Sequence, residues 1–106
     1  MKAKTRKYTD ELSNLQNVGT ATRQDLTLLG INTVKELAQA DPDELYLRLQ
    51  QITHCKQDPC VWDVFAAIIH EAKTGVGQPW WQWTAIRKER QNAGDFINLN
   101  NNSGKA

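Results

Sequence analysis

Apolar residues along this chain recur at three- and four-residue spacings and almost never alternate, a pattern that predicts helices and no strands. Leu12 and Leu15 share one face of a short first helix that Thr9 can cap. "QNVG" is a turn. Thr20 is the expected cap of the second helix, with Leu26, Leu28 and Leu29 as its buried part and Gly30 as its left-handed ending. Thr33 and Glu36 have the spacing of a capping box ahead of Val34, Leu37 and Ala38. In "DPDEL", Asp41 caps, Pro42 takes the first helical position and Glu44 completes a second box; Leu45, Leu49 and Ile52 form the inward stripe. "DPCVW" repeats that start, with Asp58 as cap and Pro59 opening the fifth helix. Val61, Val64, Phe65, Ile68 and Ala72 give this helix its main face, and Trp62 and Ile69 widen it, so it is expected to be the most buried. Gly75, Gly77 and Pro79 end the regular part, and a short helix from Thr84 to about Ala93 follows "PWWQWT".

Helices joined by turns of two to eight residues predict an all-α fold, a compact bundle of five to six helices. At 106 residues the chain is read as one domain. Residues 1–8 are expected to be a basic flexible N-terminus, 9–93 the folded domain with its Trp-rich segment at 79–84, and 94–106 a polar disordered tail.

Composition narrows the class. An apolar fraction of 40% and four tryptophans fit a globular protein. No run of 18 apolar residues exists, so no membrane span is expected. The start "MKAKTRKYTDE" lacks the apolar stretch of a secretory signal, and the expected compartment is the cytoplasm, where both cysteines stay reduced. The net charge of +1 hides an asymmetry: residues 1–7 carry +4, residues 84–106 carry +2 and the body between them carries −5. Neutralisation of phosphates drives most nucleic-acid affinity, so the body alone is a poor polyanion binder.

The stretch "NLQNVGTATRQDLTLLGI" resembles a helix-hairpin-helix motif: an apolar residue, a tight turn containing glycine, a helix, then Gly-Ile. Together with "DPCVWDVF" and "PWWQWT", the chain resembles the pathogenicity-locus family of small bacterial proteins, some of them labelled mitomycin-resistance proteins. The resemblance spans roughly residues 12–90. Over the hairpin and the next two helices the chain is also similar to the C-terminal domain of bacterial competence regulators. These resemblances imply a compact helix-hairpin-helix domain, and they imply no enzymatic activity.

The physical reading of the hairpin stands beside that resemblance. A helix N-terminus offers unpaired N–H groups and the positive end of its dipole, where a phosphate oxygen can dock. The expected DNA contacts are Asn17, Val18, Gly19, Thr20, Ala21, Thr22 and Arg23: the amides of Val18, Gly19, Ala21 and Thr22, the hydroxyls of Thr20 and Thr22, and the charge of Arg23. Such contacts read no bases, so binding is expected to be independent of sequence. DNA-binding motifs of this kind usually have Gly-x-Gly in the turn; here it is Asn17-Val18-Gly19, and Asp25 lies near Arg23. The alternative is that Val18 is a core anchor and the hairpin is architecture only. Lys2, Lys4, Arg6, Lys7, Arg87, Lys88 and Arg90 are the auxiliary charges expected to assist DNA contact.

Trp80, Trp81 and Trp83 suggest a second function, a protein-interaction adaptor, with at least two of the three expected to pack back onto the helices. His54, Cys55, Cys60 and His70 do not form a recognisable zinc spacing, since Cys-x4-Cys is loose, so no metal and no cofactor is expected. Cys60 in a first helical turn is a candidate redox thiol, but Asp58 and Asp63 oppose its ionisation, and an inert packed cysteine is the preferred reading. No paired carboxylates, P-loop, dinucleotide turn or Ser-His-Asp order is present, and the chain is not expected to be an enzyme.

Overall fold

A computed structural model describes residues 10–96. These form five α-helices: α1 (Thr20–Leu28), α2 (Val34–Ala38), α3 (Pro42–Thr53), α4 (Cys60–Thr74) and α5 (Thr84–Asn92). Two single 3-10 turns, Glu11–Asn14 and Trp80–Trp83, complete the order, and no strand occurs among the described residues. The all-α class expected from periodicity is what the chain adopts. The first expected helix is reduced to the 3-10 turn Glu11–Asn14, flanked by Asp10; Thr9 lies outside the described residues.

Local signals explain most of the boundaries. Thr33 accepts from the Glu36 N–H and the Glu36 carboxylate accepts from the Thr33 N–H, closing the box ahead of α2. Asp41 accepts from the Glu44 N–H at 3.1 Å, one arm of the second box. Asp58 accepts from the Cys60 N–H at 2.8 Å and its carbonyl accepts from Val61, so it starts α4 as expected, with Pro59 already helical. Gly30 ends α1 at φ 78°; its N–H reaches the Thr27 carbonyl and Ile31 reaches back to Leu26. That pair of bonds satisfies carbonyls the helix leaves open, and the left-handed φ favours glycine.

α4 is the axis of the core. Trp62, Phe65, Ile68 and Ile69 are buried there against Leu12, Leu26, Leu37, Leu45 and Leu49. Two expected core positions face water instead: Leu28 is 51% exposed and Ile52 41%. In α1 the inward stripe is Leu26 and Leu29, and Leu28 lies about 100° of helical turn from Leu29. In α3 the buried face is Leu45, Tyr46, Leu49 and Gln50, and the Gln50 side chain accepts from the Gln57 N–H at 2.8 Å.

The domain also runs further than expected. After α5 the chain turns back at Gly94, where Asp95 donates to the Arg90 carbonyl at 2.8 Å. Phe96 is then buried between Tyr46 (ring centroids 5.6 Å apart) and Trp62 (5.7 Å, edge-on). Residues 94–96 are therefore part of the fold, while residues 1–8 and the rest of the expected tail lie outside the described residues.

Candidate nucleic-acid interface

The hairpin turn between the first 3-10 turn and α1 is tied down from behind. The Gln16 N–H donates to a Glu71 carboxylate oxygen at 2.8 Å, and the Asn17 side-chain amide donates to the Gln78 carbonyl at 2.7 Å. Gly77 lies under this turn so closely that a Cβ there would sit 2.6 Å from Gln16 Oε1 and 3.0 Å from Gln16 Cβ. Asn17 thus points into the fold and holds the turn to the loop after α4. It is not placed to crowd or to contact an outside ligand. Val18 packs against the core, and its N–H donates to the Leu15 carbonyl at 3.2 Å, which removes it from the expected set of free donors.

Gly19, not Thr20, is the residue that flanks α1, with extended backbone; Thr20 is the first helical residue. A glycine cap has no side-chain oxygen, and no side chain closes the end of this helix. The first intrahelical bond is from the Arg23 N–H to the Gly19 carbonyl, so Thr20, Ala21 and Thr22 precede the ladder. Gly19, Thr20 and Ala21 are exposed, and Thr22 is half-buried. α2, α3 and α4 each begin with a side-chain acceptor, and α5 continues directly from the preceding 3-10 turn. α1 is the described helix whose start is left bare.

An open groove of about 400 Å3 lies at this end, lined by Ser13, Val18, Gly19, Thr20, Arg23 and Gln24. Arg23 supplies its cation, but the cation is engaged. Its Nε donates to both carboxylate oxygens of Asp10, at 2.9 and 3.1 Å, and its Nη1 donates to Thr27. Ser13 donates to Asp10 as well, at 2.6 Å. The Arg23 hydrogen bond, with help from Ser13, holds the Asp10 carboxyl below the usual carboxylate range. Asp10, Ser13 and Gln24 did not stand out in the sequence; the Asp-x-x-Ser spacing is the one signal that could have found the first two.

The expected auxiliary charges divide. Arg87 is buried, with Nε and Nη2 donating to the two oxygens of Asp63 at 3.0 and 2.9 Å, and Thr84 donating to the same carboxylate at 2.7 Å. Arg90 grips Asp43 through Nη1 and Nη2 at 2.9 Å each and lies over the rings of Trp62 and Phe96. Arg87 is buried in its pair with Asp63, and Arg90 is half-buried and engaged by Asp43. Lys88 is exposed; Lys2, Lys4, Arg6 and Lys7 lie outside the described residues.

Of the tryptophans, Trp83 packs on the core beside His70 (ring centroids 5.3 Å apart), Trp80 is half-buried and Trp81 is 62% exposed. Trp80 and Trp81 meet edge-on at 5.9 Å. An apolar groove of about 340 Å3 is lined by Trp62, Ala66, Ile69, His70, Trp83 and Ile86, and Trp83 is the one tryptophan of the segment that reaches it. Among the described residues no group of three or more His, Cys, Asp or Glu side chains is gathered for a metal ion. The Cys60 thiol is pushed up, first by burial and then by Asp58, against the opposing charge of Arg87. No helix among the described residues is long and apolar enough to cross a membrane.

A family model described as "Pathogenicity locus" matches residues 5–89. The chain belongs to the pathogenicity-locus family. It is also 32% identical over 78 residues to a protein of Streptomyces lavendulae named Mitomycin resistance protein McrB, a match covering 74% of each chain. No solved structure matches the chain. The family match covers the hairpin, the groove, α2 to α4 and most of α5; Arg90, Gly94 and Phe96 lie beyond it.

Proposed function

We propose that this pathogenicity-locus protein binds the DNA backbone without sequence preference, and that the 3-10 turn, the hairpin turn and α1 act together as its helix-hairpin-helix. The carrying observation is the bare start of α1: exposed residues Thr20 and Ala21, then half-buried Thr22, all ahead of the helix's first backbone bond, beside a groove and without a side-chain cap. Oriented amides at a helix N-terminus attract phosphate, and they read no base. All twelve acids of the chain lie between residues 10 and 96, with eight of its thirteen bases. Binding through this body is therefore weak and strongly salt-dependent, and it draws on the four bases that precede Asp10.

Gly19→Asp tests the reading without breaking the fold. Nothing lies within 4 Å of a Cβ built at Gly19, and its backbone is extended, so the new side chain enters without strain. An aspartate there is a better helix cap than glycine and turns its carboxylate onto the N–H groups a phosphate would use. The variant is expected to be as stable as wild type or more so, by a few tenths of a kcal/mol, roughly the difference between these two caps. It is also expected to lose duplex binding in a fluorescence-anisotropy titration at low salt. Unchanged affinity in the variant ends the proposal.

A second reading is favoured by the 62% exposure of Trp81 and by an apolar groove lined by Trp83: an adaptor in which the hairpin is scaffold. In that case a protein partner is retained by Gly19→Asp and lost with Trp81→Ala.

A further inference from the structure

The last described residue, Phe96, lies beside the apolar groove. Arg90 holds the preceding residue at both backbone groups: the Asp95 N–H donates to the Arg90 carbonyl at 2.8 Å, and the Asp95 carbonyl accepts from Arg90 Nη2 at 2.9 Å. Phe96 is then buried on the Trp62 ring, and Trp62 also lines the groove with Ala66, Ile69, Trp83 and Ile86. The groove follows one face of α4, since Trp62, Ala66 and Ile69 recur at four- and three-residue spacing. α5 supplies Ile86, one turn before the Arg90 that lies over Trp62. At 46% exposure Ile86 is left uncovered among the described residues.

We infer that the segment 97–99, which lies outside the described residues, docks in this groove as an intramolecular latch. Ile97 and Leu99 are its apolar side chains, and residues 100–106 are all polar or small. Residues two apart share one face of an extended chain, so both can enter the same groove. The reach matches. Three residues beyond Phe96 span about 10 Å when extended. The rise along α4 from Trp62 to Ile69 is also about 10 Å. The tether decides the occupant. A segment joined to the rim of its own site meets it at an effective concentration in the millimolar range, which favours it over a free partner or a second copy. An apolar partner that uses the groove must first lift this segment. The latch does not rest on DNA binding at the hairpin.

Methyl NMR of the full chain, labelled on isoleucine and leucine methyl groups, tests the latch. The Leu99 methyl protons are expected upfield of their random-coil positions, shifted by the indole rings of the groove. They are also expected to show nuclear Overhauser contacts to Trp83 and Ile86. Leu99→Asp lies outside the described body, and it should shift the Trp83 and Ile86 signals while the Phe96 contacts to Trp62 persist. Ile86→Asp alters the groove at an exposed position, and it should abolish both the upfield shift and the contacts of Leu99. Thermal melts verify that it folds; if it does not, Leu99→Asp still decides. The inference is overturned if the Leu99 methyls stay at random-coil positions, if Leu99→Asp leaves the groove signals unmoved, or if the contacts survive in folded Ile86→Asp. An equal mixture of labelled and unlabelled chains separates the remaining occupant. Contacts that cross between labelled and unlabelled chains would put a second copy's segment in the groove and overturn the intramolecular latch.

Discussion

Arg87 lies between exposed Ile86 and exposed Lys88 and yet is buried to 7% exposure, because its partner is 24 residues away on another helix. Asp63 is fully buried, and its two oxygens accept from Arg87 and Thr84. A carboxylate in that position is tolerated only while its partners remain. Arg87→Ala should therefore destabilise by about 3–5 kcal/mol, the usual cost of leaving one member of a buried pair alone. Urea denaturation measures it, and a loss under about 1 kcal/mol would mean water replaces the guanidinium freely. The same geometry explains why this arginine read as a surface charge. Periodicity places it on a short polar helix, and nothing in the local sequence points to Asp63. Asn17 is the parallel case: in sequence it substitutes for a glycine that a phosphate would want, and in space it hydrogen-bonds to Gln78.

At the scale of elements, signals within four residues were legible and those that cross the fold were not. Thr33–Glu36, Asp41–Glu44 and Asp58–Cys60 were readable because a cap and its N–H are neighbours in sequence. The start of α1 slipped by one residue because Thr20 has the better cap chemistry, while the packed turn before it places Gly19 at the boundary. The inward stripe of α3 runs through Tyr46 and Gln50 rather than Ile52, and the bond that satisfies buried Gln50 comes from Gln57 in the loop after the helix, outside any local pattern. Gly30 yields the element-scale prediction. At φ 78° an alanine meets no neighbour, so Gly30→Ala pays only the left-handed backbone strain, about 1–2 kcal/mol. Thermal melts of the variant should show that loss, with helix content unchanged. A neutral result would show that the Gly30 and Ile31 bonds to α1 had rearranged.

For the molecule as a whole, the decisive closure comes from residues 90–96, the last three of which low apolar content assigns to a disordered tail. Arg90 on α5 holds Asp43 on α3, the Trp62 indole of α4 donates to the same carboxylate at 2.8 Å, and Phe96 covers Trp62 and Tyr46. Three helices thus meet at one carboxylate, and the returning chain packs Phe96 on the Trp62 ring that donates to it. Arg90 holds the Asp43 carboxyl below its ordinary 3.8, with the Trp62 bond adding and burial opposing. A carboxyl depressed by folding contributes stability that is fully present above its unfolded-state value and is lost as pH falls through the folded one. Asp43 therefore stabilises the protein at neutral pH, and that contribution disappears on acidification below about 4. Asp10 and Asp58 are depressed too, so acid destabilisation has several sources. Asp43→Asn should be less stable than wild type at pH 7 and should lose less of its remaining stability between pH 5 and pH 2.5. The two urea midpoints should then converge as the wild-type carboxylate takes up its proton. Parallel pH profiles would show that the Arg90 clasp is held by stacking on Trp62 and Phe96 rather than by charge, and that Asp43 serves there as a neutral acceptor would.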